Sequence, residues 1–459
     1  MLHGTVGASS LMKKYSVILI FVIALIARIL YGTAAPTVIY GADSSGYYAL
    51  GKEMFAHPTL QTIIHPYRTP LYPFFINAVF YSIGLGGARE GSPDFTYGLE
   101  VVVVIQMILG AAAFAAFYEA MKRWVPQSMH RLIGLCILLD VFAFGWERSI
   151  LTEGIAVSLV LITTTTLLGT LLSPTKRNFT ILFFLFTLGF LLRPALLTIP
   201  IATLPILAWH FRKKSAILIP AVLTLIGFLL VPITYAQVNR IESGYPGIQI
   251  VGDIDILGRI LETRLPIESA RDYHYFYTTV RDYETKSLTP HPFRFLEYYD
   301  PDIYQKMERF IELHNFNRTV IIHALPEFLT HMITNIPEVL LEVNEFTQVK
   351  NRNAGVIATI VWAVQQIYGK IQYVTLLIPF VWIVVMILWV TKPTRARTLT
   401  ALLGTMVMSQ ILLIAAVVYR DIGGQYQRLL SVIRPQMFLF LVLSVWSLWP
   451  HGREEQKVL

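Results

Sequence analysis

A chain of 459 residues that is 55% hydrophobic and 14% charged, with mean hydropathy +0.57, is not a water-soluble domain. Soluble domains carry roughly 25% charged residues. The net charge of +8 is no nucleic-acid footprint, because the basic residues fall in short runs between apolar segments. One cysteine, Cys136, excludes a disulfide framework and a cysteine-based metal site.

The first apolar segment, 15–32, follows Lys13 and Lys14 with no small-residue cleavage site and is read as a retained anchor. Further segments fall near 97–121, 131–146, 150–172, 178–192, 194–210, 215–236, 371–391, 398–418 and 430–449. About ten spans are therefore expected, several shorter than the roughly 20 residues that cross hydrocarbon comfortably. The basic clusters Lys13–Lys14, Lys122–Arg123–Arg131, Lys176–Arg177, Arg212–Lys214 and Lys392–Arg397 occupy alternate loops. Positive loops stay inside. The expectation is an all-α polytopic protein of the plasma (inner) membrane, with both termini cytoplasmic. Residues 70–86 open on Pro70 and Pro73 and are read as an interfacial helix. Residues 354–367, too short to span, get the same reading. Three modules follow: 1–236 as a transmembrane catalytic module, 237–353 as a small α-rich outer domain, and 354–459 as a C-terminal transmembrane module.

Three segments then face outward: 33–96, the loop WERSILTE around 146–153, and 237–353. The first contains GADSSGYYALGKEMFAHPTLQTIIHPYRTPLYPFF at 41–75, with Asp43, Glu53, His57, His65, Arg68 and several tyrosines beside the membrane boundary. Asp43 opens a helix, where it serves either as an N-cap or as a functional acid. Glu153 stands at the start of a span, where it caps the helix or works in a site. Glu147, which flanks the same loop, either pairs locally with Arg148 or carries chemistry. Arg193, in LLRPALL, breaks the positive-inside pattern and either snorkels or meets an anion. Arg420, Asp421, Arg428 and Arg434 form another outer group, read as ion pairs or as part of a site. The tyrosine-rich block 265–300 suits sugar stacking or a small packed core. Asp253 and Asp255 form a D-x-D pair, a spacing too short to argue for a metal. No P-loop, Rossmann glycine pattern or HExxH helix appears.

The order of these features resembles the GT-C glycosyltransferases, in the branch of protein O-mannosyltransferases and the aminoarabinose transferase of lipid A. ADSSGYYALGKEM is similar to that family's P-D-E-x-x-Y-A-x-x-x-R-E-M run, and YRTPLYPF to its basic-x-P-L-Y-P turn. LTE at 151–153 and LLRP at 191–194 are similar to its second outer acid and a later basic position. The likeness covers the first seven expected spans, about half the chain. It departs where Ser44 replaces a second adjacent acid.

The resemblance implies an inverting transferase that moves a sugar from a polyprenyl-phosphate donor to a hydroxyl acceptor on the periplasmic face. Asp43 would be the base and Glu153 its partner acid. Arg68, Arg193 and Arg428 would hold the donor phosphate. Tyr47, Tyr48, His65 and Tyr67 would contact substrate. No cofactor, metal or nucleic-acid partner is expected; the bilayer is. Two other classes stay open: a transporter or flippase of lipid-linked sugar, and a non-catalytic glycan-assembly subunit. A transporter would carry polar residues near mid-membrane, where Asp140 and Thr163–Thr166 stand.

Overall fold

The computed structural model describes residues 5–286, 291–342, 355–419 and 425–448, with side chains from Val17 onward except those of Ala42 and Arg395. The Lys13 and Lys14 side chains, and Arg420 and Asp421 altogether, lie outside the described residues. Among the described residues every regular element is helical, and β pairing is confined to one bridge between Ile39 and Ser149. This is an α-helical polytopic membrane protein.

α1 (Thr5–Ala34) turns Leu19, Ile23, Ile26 and Leu30 outward, as a lipid-facing helix requires. α2 (Ala42–Ala56), α3 (Leu60–Ile63) and α4 (Leu71–Ser82) follow as short helices. Pro70 and Pro73 bracket the first turn of α4, where missing N–H groups cost little. Its 12 residues, about 18 Å of helix, are too few to cross a membrane. α2 and α4 pack tightly because Gly51 lacks a side chain. A Cβ there would fall 2.2 Å from the Pro73 carbonyl oxygen and 2.1 Å from Asn77 Nδ2.

α5 (Pro93–Met121) is capped by Ser92. α6 (Gln127–Leu138) and α7 (Val141–Glu147) form one apolar stretch bent by 46°. α8 (Thr152–Leu172) packs along α5. α9 (Lys176–Leu192) and α10 (Thr198–His210) are separated by a turn at Arg193–Pro194, and both pack on α11 (Ser215–Ser243).

α12 (Ile250–Thr263), α13 (His274–Thr285), α14 (Pro292–Tyr299) and α15 (Met307–His323) close a core of their own around Leu257, Phe276, Phe295, Phe310 and Phe316. The tyrosine-rich block divides: Tyr283 and Tyr299 pack on Phe295, while Tyr298 is exposed. α16 (Leu325–Leu341) leaves this unit and packs along α19, adding Val339 and Leu340 to the main core.

α17 (Val356–Ile371), α18 (Ile378–Thr391), α19 (Arg395–Val417), α20 (Gln425–Leu430) and α21 (Arg434–Leu448) complete the chain. Seven helices are long and apolar enough to cross a membrane, or eight if the bent pair is one span. The ten expected spans include α9 and α10, which at 17 and 13 residues fall outside that count. The stretch 354–367 also differs from expectation. Val356–Thr391 is one helical run of 36 residues, about 54 Å. Pro379 sits in the first turn of α18, where it does not break the run.

Candidate functional site

Short backbone contacts gather one end of the bundle. The Ile39 N–H donates to the Arg148 carbonyl (3.1 Å) and the Ile150 N–H to the Ile39 carbonyl (3.0 Å), which sets α2 beside the start of α8. Gln106 Nε2 donates to the carbonyls of Glu147 (2.8 Å) and Ser149 (3.0 Å), fixing that turn to α5. The loop 64–70 is held from several sides. Thr69 donates to the Leu192 carbonyl (3.3 Å), Tyr235 to the His65 carbonyl (3.2 Å), and the Ile250 N–H to the Pro66 carbonyl (2.7 Å).

The result is one chain of charges drawn from four distant segments. Arg68 Nη2 donates to Asp43 Oδ1 (2.5 Å), and Arg428 Nη2 to Asp43 Oδ2 (3.0 Å). Arg428 Nε donates to Glu153 Oε1 (2.6 Å). Arg193 Nη1 lies 3.1 Å from the same oxygen without hydrogen-bond geometry, so this buried nitrogen has no acceptor among the described residues. The site is graded in depth: the Glu153 side chain is 0% exposed, Arg193 12%, and Asp43 36%.

Local sequence explains how each group is freed for this. Gly41 caps α2, and its N–H donates to Ser44 Oγ (3.1 Å). Ser44 therefore takes the capping role, and Asp43 in the first turn is left to the arginines. α8 begins after Leu151, which gives it no side-chain cap. Thr152 instead donates to Glu153 Oε2 (3.3 Å). Arg193 ends α9 in extended conformation because Pro194 follows. Arg428 rides on α20, which is pinned by the Gln427 N–H to Glu342 Oε2 (3.1 Å). Desolvation pushes the Asp43 carboxyl up, but Arg68 and Arg428 outweigh it and hold it below its usual range.

The aromatic candidates separate. Tyr47 belongs to the cluster: its hydroxyl accepts from Arg68 Nη1 (3.3 Å), and the guanidinium lies 4.8 Å from its ring centre. Its neighbour Tyr48 turns away, packing on Phe80 and Phe95 and donating to the Ala88 carbonyl (2.7 Å). Tyr67 docks on the small helical unit, donating to the Tyr304 carbonyl (2.9 Å) and meeting Phe310 edge-on. His65 Nδ1 accepts from the Tyr67 N–H (3.3 Å), and burial lowers its pKa, with Glu53 opposing.

Asp255 is the site residue that the sequence did not single out. The D-x-D spacing paired it with Asp253, but two residues along a helix is about 200° of rotation. Asp253 accepts from Tyr245 and sits 2.9 Å from His314 Nδ1 inside the small unit. Asp255 lies within electrostatic reach of Arg428, Asp43, Arg68 and Arg193 instead.

Glu147 also parts from expectation, whereas Arg434 keeps to its ion-pair reading. Glu147 does not pair with Arg148, which donates to the Pro36 carbonyl. It receives two bonds from Arg28 Nε and Nη2, at 2.7 and 2.8 Å. Arg434 stands 3.6 Å from Asp140. Compared with known proteins, the chain matches no family model and shows no significant similarity to a curated protein.

Proposed function

We propose that the chain is an inverting glycosyltransferase of the GT-C type, which moves a sugar from a polyprenyl-phosphate donor to an acceptor hydroxyl at the periplasmic side of the plasma membrane. The single observation that carries this reading is the interleaved cluster of Arg68, Arg193 and Arg428 with Asp43 and Glu153, open at Asp43 and closed at Glu153. A guanidinium presents a planar fork of five donors that matches phosphate oxygens. Three guanidinium groups beside apolar helices, held in ion pairs with Asp43 and Glu153, suit an anion carried on a lipid tail. Donors fixed where the leaving phosphate gathers charge lower the barrier to its departure.

In this reading the donor phosphate takes N–H groups from Arg193 and Arg428, and Arg68 closes over it from the loop. Asp43 and Glu153 keep the guanidinium groups aligned between turnovers. The ten-span topology, with both termini cytoplasmic and 245–324 lying outside as a cap, belongs to the same proposal. So does acceptor entry from the Asp43 side.

The test is binding of undecaprenyl phosphate to the purified chain in nanodiscs, followed by release of undecaprenyl phosphate from its hexosyl or pentosyl conjugates with an envelope extract as acceptor. Arg193→Gln and Arg68→Gln are expected to weaken binding about tenfold or more, the worth of one charged hydrogen bond. Asp43→Asn is expected to abolish transfer in a folded protein. Unchanged affinity in both arginine variants would defeat the phosphate assignment. A flippase reading draws on the break between α6 and α7 near Asp140, since transporters use broken helices. Movement of a labelled conjugate across a proteoliposome without sugar transfer would favour it.

A further inference from the structure

Two of the three acids of helix α12, Asp253 and Asp255, have different surroundings. On one side Asp253 is closed into the small unit by Tyr245 and His314, and its carbonyl accepts from Asn317 Nδ2 (2.8 Å). On the other side the helix is fixed at two points against the membrane bundle. Its first N–H donates to Pro66, two residues from Arg68. Arg259, one turn beyond Asp255 on the same face, donates from Nη2 to the Ala415 carbonyl near the end of α19 (2.7 Å). Asp255 lies between these anchors along the helix, partly buried and within electrostatic reach of the charged cluster. Among the described residues none gives it a hydrogen bond or an ion pair.

The other two carboxylates of the cluster are already occupied. Asp43 is shared between Arg68 and Arg428, and Glu153 between Arg428 and Arg193. A carboxylate held by two guanidinium groups binds a proton weakly. We propose that Asp255, supplied by the small helical unit, is the group that accepts the proton of the acceptor hydroxyl, while Asp43 and Glu153 act as positioning residues for the arginines. This rests on the glycosyl-transfer reading above. In the step, the acceptor oxygen forms a bond to the anomeric carbon as that carbon's bond to the phosphate oxygen breaks. The breaking pair leaves with the phosphate, and the hydroxyl proton passes to an Asp255 oxygen.

The electrostatics agree with the geometry. Desolvation pushes the Asp255 carboxyl up to about 7, with Arg428 opposing, Asp43 adding to the rise, and Arg68 and Arg193 opposing. On its own helix Arg259 is paired with Glu262, and Asp253 faces away towards His314. A base is most effective when it titrates near the working pH.

The experiment uses the full chain in proteoliposomes with undecaprenyl-phosphoryl hexose or pentose and an envelope extract, and follows release of undecaprenyl phosphate from pH 5 to 9. Wild type is expected to gain rate through about pH 7, the value to which Asp255 is raised. Asp255→Asn is expected to lose about 100-fold in rate and to lose that rise, while binding of undecaprenyl phosphate alone is retained. Asp255→Glu is expected to keep a pH-dependent limb at reduced rate, which a purely structural role would not produce. An Asp255→Asn protein with wild-type rate and pH profile would overturn the inference and leave the transferase reading intact. A wild-type protein that neither binds undecaprenyl phosphate nor releases it would overturn the transferase reading, and the inference with it.

Discussion

Two of this molecule's groups of arginines and carboxylates are built in opposite ways. Arg28 and Glu147 meet as a closed fork, two bonds at 2.7 and 2.8 Å, with side chains 5% and 0% exposed. Gly110 makes the room: a Cβ there would fall 2.1 Å from Glu147 Oε1. Each charge is spent on its partner, and no face is left for a ligand. The Asp43–Arg68–Arg428–Glu153–Arg193 cluster is an open chain instead. Its acids are shared, one arginine nitrogen has no acceptor, and exposure rises towards Asp43. Charge pairing alone therefore does not mark a site; pairing that leaves donors unspent and reachable does.

Breaking one member of each group should separate their roles most clearly. Arg428 touches both acids, and Arg428→Gln is expected to cost about 100- to 1,000-fold in transfer, as loss of a fixed donor to a developing charge does. Its thermal midpoint in detergent should stay near wild type. Glu147→Gln should do the reverse. It strands Arg28 in an apolar core, at a cost of about 3–5 kcal/mol, read as a lowered midpoint and poor yield. Exchanging both partners, Arg28→Met with Glu147→Met, should recover most of that loss, because replacing a buried pair by apolar groups is often neutral. If Glu147→Gln were stable and Arg428→Gln unfolded, the contrast drawn between the two groups would be wrong.

Acid titration sharpens the comparison inside the cluster itself. The Asp43 carboxyl is held below its usual range by Arg68 and Arg428 against desolvation. Its contribution to stability is therefore present above the ordinary carboxylate range and is lost only as pH falls through the depressed value. Asp255 has the opposite sign. Its folded carboxyl is raised to about 7 from 3.8, so the unfolded chain gives up the proton first. Stability should fall as pH rises from about 4 to about 7 and then level off. Asp255→Asn should flatten that slope in urea or thermal denaturation from pH 4 to 8. An unchanged slope would mean that Asp255 is not desolvated in the cluster.

The sequence carried the membrane class and the charge pattern further than it carried the pairings. Asp43, Arg68, Glu153, Arg193 and Arg428 stood out because each is an ionisable residue at an expected membrane boundary, a local property of hydropathy and sign. That they meet depends on the bridge of Ile39 to Ser149, which joins segments 110 residues apart, and on the turn at Pro194, which brings Arg193 to Glu153 40 residues before it. Glu147 was misjudged for the same reason. Its neighbour Arg148 is adjacent in sequence, but α7 ends there and the two side chains diverge towards Arg28 and Pro36. Asp255 was hidden by its resemblance to a motif. The D-x-D spacing suggests a pair in a loop, whereas a helix at 100° per residue sends the two acids to different sides. The continuous run Val356–Thr391 escaped because Gly369 and Lys370 interrupt the apolar pattern between 354–367 and 371–391.

The smallest expected effects come from two adjacent tyrosines, and they test the site at the scale of one side chain. Tyr47 accepts from Arg68 at 3.3 Å and packs edge-on against Tyr72, whose hydroxyl donates to Gln106. Tyr48 faces the other way, with its hydroxyl on the Ala88 carbonyl. Tyr47→Phe keeps the ring under the guanidinium and removes one acceptor, so it should lower transfer about threefold to tenfold, the worth of a net hydrogen bond of about 1 kcal/mol. Its effect on the thermal midpoint should be slight, because Arg68 stays bonded to Asp43. Tyr48→Phe leaves the Ala88 carbonyl without its donor. It should cost about 1 kcal/mol of stability and leave the transfer rate per folded molecule unchanged. Equal losses of rate in both variants would mean that the loop is felt by the site as a whole, and that the division between a working face and a packed face of α2 does not hold.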